Sequence, residues 1–117
     1  MTDSALSVLP EIVRRHFPDG LLGPTSIWLV LPETSDKCGW DGGAAGVNAW
    51  FRSLEWYPRE LMPIVWFGDD GIGNLLGWDP DAQEAVLWNP EDGADIQKRS
   101  NVEDLWRDIV ALYADPT

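Results

Sequence analysis

Met62-Pro63-Ile64-Val65-Trp66-Phe67-Gly68-Asp69-Asp70-Gly71-Ile72-Gly73-Asn74-Leu75-Leu76-Gly77-Trp78, followed by Asp79-Pro80-Asp81-Ala82-Gln83-Glu84 and Ala85-Val86-Leu87-Trp88, is the stretch that decides the fold. Ile64 to Phe67 is an unbroken apolar run of strand formers, of the kind found where a strand is covered on both faces. Asp69, Asp70, Gly71 and Gly73 then read as a solvated turn, with the two glycines supplying backbone angles that other residues resist. Ile72 to Trp78 and Ala85 to Trp88 form two more strands, and the polar segment between them makes the pair a hairpin. Trp78-Asp79-Pro80 closes one strand and Trp88-Asn89-Pro90 the next, so an aromatic residue and a turn-starting Asx-Pro pair end both.

Working outward, Ser100 with Glu103 three residues later matches a capping box, which opens a helix running to about Tyr113. Leu105, Trp106, Ile109, Leu112 and Tyr113 form its apolar stripe, opposite Asp104, Arg107 and Asp108. Toward the N-terminus, residues 47–57 place Val47, Trp50, Phe51, Leu54 and Tyr57 on one helical face, and residues 32–46 are a turn-rich loop holding Asp36, Asp41, Gly39, Gly42 and Gly43. Ser26 to Leu31 reads as a strand. Residues 4–17 read as a first helix, with Pro10 in its first turn and Pro18-Asp19-Gly20 as its stop. The expected fold is α+β: one domain over residues 1–117, with an antiparallel sheet of about four or more strands packed against N- and C-terminal helices.

The 117 residues suffice for one hydrophobic core. Twenty acidic residues against eight basic ones give a formal charge of -12, which disfavours nucleic acid and anionic membrane as partners and attracts a cationic protein. Charge of this sign also serves solubility alone. Eight tryptophans are more than the centre of one small core readily holds, so about five or six are expected to fill the core and its rim and the others to lie exposed. Cys38 is the single cysteine and forms no intrachain disulfide, the first residues lack a signal peptide's apolar core, and no stretch approaches a membrane span. The cytoplasm is the simplest address.

Chemistry is sparsely equipped. His16 is the one histidine and Cys38 the one thiol, too few for a zinc site and an improbable nucleophile–base pair, with a surface or capping role favoured for His16. Asp69, Asp70, Asn74 and Asp79 carry the oxygen donors hard cations prefer, without the ligand spacing of a calcium loop. The run Gly71-Ile72-Gly73-Asn74-Leu75-Leu76-Gly77 lacks the Lys-Ser/Thr of a phosphate loop. No cofactor is expected.

The segment from Met62 through Asn74, the hairpin ending in Val86-Leu87-Trp88 and the closing amphipathic helix resemble the SUKH superfamily, whose members include a fungal cell-wall-assembly regulator and many bacterial immunity proteins of polymorphic toxin systems. Leu9-Pro10 and Asp19-Gly20 are compatible with the front of that pattern, and the resemblance is carried by residues 62–113. It implies an α+β protein that is no enzyme, and that binds and neutralises a cognate toxin, commonly a nuclease. The alternative is a non-catalytic regulatory or scaffolding module for an endogenous protein. A third class, a metal-dependent hydrolase, would use Asp69, Asp70 and Asp79. For toxin binding the expected contacts are Asp69, Asp70, Asp79, Asp81, Glu91 and Asp92, with Trp78 and Trp88 as aromatic anchors; the competing role for the two indoles is stacking across the hairpin.

Overall fold

A computed structural model describes residues 4–35 and 38–113; Asp36 of the expected loop lies outside them. The order of elements is a 3-10 turn (Ser4–Val8), α1 (Glu11–Arg14), β1 (Leu21–Leu22), β2 (Trp28–Val30), α2 (Gly43–Ser53), β3 (Val65–Asp69), β4 (Leu75–Asp79), β5 (Glu84–Trp88), β6 (Ile96–Arg99) and α3 (Val102–Leu112). This is an α+β architecture. β3, β4, β5 and β6 pair antiparallel in chain order, and β1 and β2 form a separate two-stranded ribbon.

The three strands expected between residues 64 and 88 are present within a few residues of their predicted bounds. The fourth, β6, was not anticipated. Its sequence, Ile-Gln-Lys-Arg, has one apolar residue and hence no hydrophobic alternation, because β6 is the edge strand and Gln97 and Lys98 face solvent. At the other edge, β3 is not left open. Leu31 N–H donates to Phe67 O at 2.7 Å, and the buried Asn48 of α2 both donates to Trp66 O and accepts from Trp66 N–H, each at 2.8 Å. A side-chain amide thus takes the place of a neighbouring strand and fixes α2 against the sheet.

Large indoles set the packing across the sheet. Trp66 of β3 lies opposite Gly77 of β4, and a Cβ at residue 77 would stand 2.5 Å from the Trp66 ring, so only glycine admits that ring. Trp66 stacks on Trp88 at 5.0 Å, and Trp88 meets Phe51 of α2 and Tyr57 edge-on. On the opposite face, Val102, Leu105 and Ile109 of α3 are buried.

Several expectations need correction. The first helix is broken into the 3-10 turn and α1: Pro10 stands at the N-cap of α1 with ψ of 152°, and proline disfavours a helical conformation in the residue before it, Leu9. The helix placed at 47–57 runs four residues earlier, from Gly43 to Ser53, so the turn-rich segment ends before it at Gly42. α3 is capped by Asn101, whose side chain accepts from Asp104 N–H at 2.8 Å, and not by Ser100. That shift of one residue puts Asp104 where Glu103 was expected and dissolves the capping box. Leu112, expected on the apolar stripe, is 66% exposed.

Of the eight tryptophans, Trp66, Trp78 and Trp88 are buried, Trp28, Trp40 and Trp106 pack partly buried against the core, and Trp50 and Trp56 are exposed. Six in core and rim agrees with the expectation from composition. No described helix is long and apolar enough to cross a membrane.

Candidate interaction surface

The antiparallel register sorts the expected acidic contacts into two groups. Leu75 pairs with both Asp69 and Trp88, so the β3–β4 turn, carrying Asp69 and Asp70, and the β5–β6 loop, carrying Glu91 and Asp92, share one end of the sheet. Asp79 pairs with Glu84, which puts Asp79 and Asp81 at the other end, about 13 Å away along β4. Asp69, Asp70 and Asp79 therefore do not converge on one point, and the hydrolase reading loses its geometry. Among the described residues no group of three or more His, Cys, Asp or Glu is placed to hold a metal ion.

At the first end Asp70 is fully buried and its carboxylate is spoken for. One oxygen accepts from Ile72 N–H and Asn74 N–H, both at 3.0 Å, and the other from the Asn74 side chain at 2.6 Å. Its backbone carbonyl accepts from the Tyr113 hydroxyl at the end of α3. Burial first, then the negative charges of Asp70 and Asp69, hold the Tyr113 phenol above its ordinary pKa of 10.0. Asp70 is thus a structural residue and not an available contact, because its oxygens already satisfy the amides that shape the turn. Asp69 is likewise engaged, accepting from Gly71 N–H at 2.6 Å and from the Trp40 indole at 3.1 Å. Gly71 and Gly73 have the expected positive φ, 81° and 104°. The turn they make carries Ile72 outward, 65% exposed.

The β5–β6 loop supplies the free acids. Asn89 accepts from Glu91 N–H at 2.9 Å and starts a 3-10 turn, Pro90–Asp92, that projects the exposed side chains of Glu91 and Asp92. Between this loop and the β3–β4 turn lies a shallow cleft of about 130 Å³, lined by Asn74, Leu87, Asn89, Asp92, Asp95, Ile96 and Gln97. Its walls carry two carboxylates and three amide side chains and no basic group. Asp95 was missed by sequence reasoning, and its position beyond the Asn89-Pro90 turn was the signal for it.

At the opposite end Asp79 accepts from Asp81 N–H at 3.0 Å and Ala82 N–H at 3.2 Å, an Asx turn that closes the β4–β5 hairpin. Asp81 is exposed.

Neither expected aromatic anchor is available. Trp88 is 0% exposed, its indole N–H donating to Gly93 O at 2.7 Å, and Trp78 is 7% exposed. Nor do they stack across the hairpin, since Trp78 faces Ala85 and Trp88 faces Leu75. Strand alternation gives the reason: residues 86 and 88 share the face that α2 covers, so Trp88 meets Phe51 while Leu87 points to the opposite face and the cleft. The exposed indoles are Trp50 and Trp56, 53% and 56%, which flank Phe51 on the α2 side with ring centroids 4.8 and 6.3 Å from it. At the acidic end Ile72 is an exposed apolar residue.

His16 packs edge-on against Trp106 at 6.1 Å, and Cys38 donates weakly to Ser35 O at 3.5 Å. Comparison with protein-family models, with curated proteins and with solved structures finds no match for this chain.

Proposed function

We propose that this chain is an immunity-type binding protein that neutralises a cognate basic toxin, of nuclease type, by covering its active site, and that it does so in the cytoplasm without catalysing a reaction. The observation that carries this reading is the acidic end of the sheet. There Asp92 and Asp95 line a cleft without a basic lining residue, Glu91 is exposed in the same loop, and Ile72 projects from the adjoining turn. The chain's charge of -12 steers a cationic partner toward it, and a nuclease must be cationic where it holds its nucleic acid. An apolar residue rimmed by acids suits such a partner: Ile72 supplies area to bury, and the carboxylates take Arg or Lys side chains in charge-assisted hydrogen bonds. The SUKH resemblance of residues 62–113 supports the same reading.

The test is functional. The product of the gene directly upstream of this one is expressed in cells with and without this chain. Rescue of growth by the wild type, lost with Asp92→Lys/Asp95→Lys, supports the proposal. Toxicity unaffected by the wild-type chain, or a harmless upstream product, contradicts it.

A further inference from the structure

The acidic cleft does not end at the β5–β6 loop. A second cavity, of about 270 Å³, adjoins it, and Asn74, Leu87 and Gln97 line both. Register gives the reason: Gln97 of β6 pairs with Leu87 of β5, so the two side chains share a face of the sheet, and Arg99 pairs with Ala85 on that same face. α3 packs over it, and the buried Leu105 and Ile109 line the second cavity together with Leu112, which is largely exposed. The two cavities differ in character. In the first, the carboxylates of Asp92 and Asp95 take part in no ion pair among the described residues. In the second, Asp70 is satisfied by its own turn and Arg99 is held by Asp108 at 2.6 Å, which leaves the aliphatic side chains to define what fits. Lys98 belongs to the other face, opposite Val86, with its ammonium 3.8 Å from Glu84.

We infer that the two cavities form one groove that holds an extended segment of the basic partner, with a Lys or Arg side chain at Asp92 and Asp95 and an aliphatic side chain two residues away, against Leu87, Leu105, Ile109 and Leu112. This rests on the binding-protein reading above and specifies what that site recognises. Spacing sets the pattern. Along β6 and the residue before it, the first cavity takes in residues 95, 96 and 97, centred on 96, and the second takes in 97 and 99, centred on 98. Two residues of strand span about 7 Å, the repeat of side chains on one face of any extended chain. An extended backbone also needs hydrogen-bond partners. Asn74 uses its amide N–H on Asp70 and keeps its oxygen, Asn89 uses its oxygen on Glu91 N–H and keeps its N–H groups, and the exposed Gln97 carries both. The cation is selected by two carboxylates with no basic neighbour in the first cavity, and the aliphatic residue by a Leu and Ile lining whose exposed member, Leu112, it would cover.

The experiment is an amide-resolved NMR titration of the full chain, at low salt, with the end-capped peptide Lys-Ser-Leu-Ser-Lys, which offers the pattern in both chain directions. Saturable shifts are expected at Leu87, Gln97 and Ile109. Lys-Ser-Ser-Ser-Lys, without the aliphatic side chain, and Ser-Lys-Leu-Lys-Ser, of the same composition but with its charges on the face opposite Leu, are each expected to bind about fivefold or more weakly. Leu112→Ser, a change at an exposed side chain, is expected to weaken Lys-Ser-Leu-Ser-Lys about threefold and to leave Lys-Ser-Ser-Ser-Lys unchanged. Absence of saturable shifts with the first peptide, equal affinity for the reordered one, or unchanged affinity in Leu112→Ser would each overturn the inference. Rescue of growth by a chain that binds no peptide overturns the groove and keeps the toxin reading; peptide binding beside a harmless upstream product keeps the groove and removes the toxin reading.

Discussion

The turns at the two ends of β4 use the same device and differ in what surrounds it. Asp70 and Asp79 each accept two backbone amides through one carboxylate oxygen, two to four residues downstream. Asp70 is fully buried, its second oxygen holds the Asn74 side chain, and Tyr113 of α3 reaches across to its carbonyl. Asp79 has only the local turn. An aspartate in a turn is thus a structural part where a distant element closes over it, and a candidate contact where its neighbours stay in solvent. This is why the acidic residues argued together from sequence separate into structural Asp70, engaged Asp69 and exposed Glu91, Asp92 and Asp81.

Breaking that contrast starts at its stronger side. Asp70→Ala leaves buried amides without an acceptor and is expected to destabilise the fold by about 3 kcal/mol in urea denaturation. Tyr113→Phe removes only the tie from α3 and should cost about 1.5 kcal/mol. Asp79→Ala loses the local Asx turn alone, and about 1 kcal/mol is expected by the same assay. Equal losses at residues 70 and 79 would remove the distinction.

A weaker effect sharpens it. The Tyr113 hydroxyl has its pKa raised by burial, then by Asp70 and Asp69, and Tyr57 has its own raised chiefly by burial, with an opposing hydrogen bond from Trp66. Both groups bind their proton more tightly in the folded state. The stability they contribute is therefore complete below the ordinary phenol value of 10.0 and is lost as pH rises through their raised values. Denaturation followed across that alkaline range should show a shallower decline in Tyr113→Phe than in the wild type.

Legibility followed the strength of local patterns. The run from Ile64 to Trp88 announced three strands because they are apolar and bounded by Asp, Gly and Pro, and α3 announced itself by the spacing of Leu105 and Ile109. What failed did so where long-range contacts decide. Trp88 looked like an anchor beside a turn, yet its strand parity turns it onto Phe51 and Trp66. β6 had no pattern to read because an edge strand buries little. Ser100 matched the capping box, but Asn101, one residue later, makes the bond. For the site, Glu91 and Asp92 were legible as exposed acids after Asn89-Pro90, and Asp81 as part of an exposed hairpin loop. Ile72 reads as the start of a strand by its apolar side chain, yet it lies between the two turn glycines, and the strand begins only at Leu75.

The surface proposed to meet a basic protein is the Glu91, Asp92 and Asp95 end of the sheet. The most direct measurement is calorimetric titration of the purified upstream gene product with three forms of this chain: the wild type, Asp92→Lys/Asp95→Lys, and Asp79→Lys/Asp81→Lys at the opposite end. Tight binding that weakens with salt is expected, with a loss of about a hundredfold for the first double variant and much less for the second. Absence of binding by the wild type, or equal losses from reversal at the two ends, would contradict it.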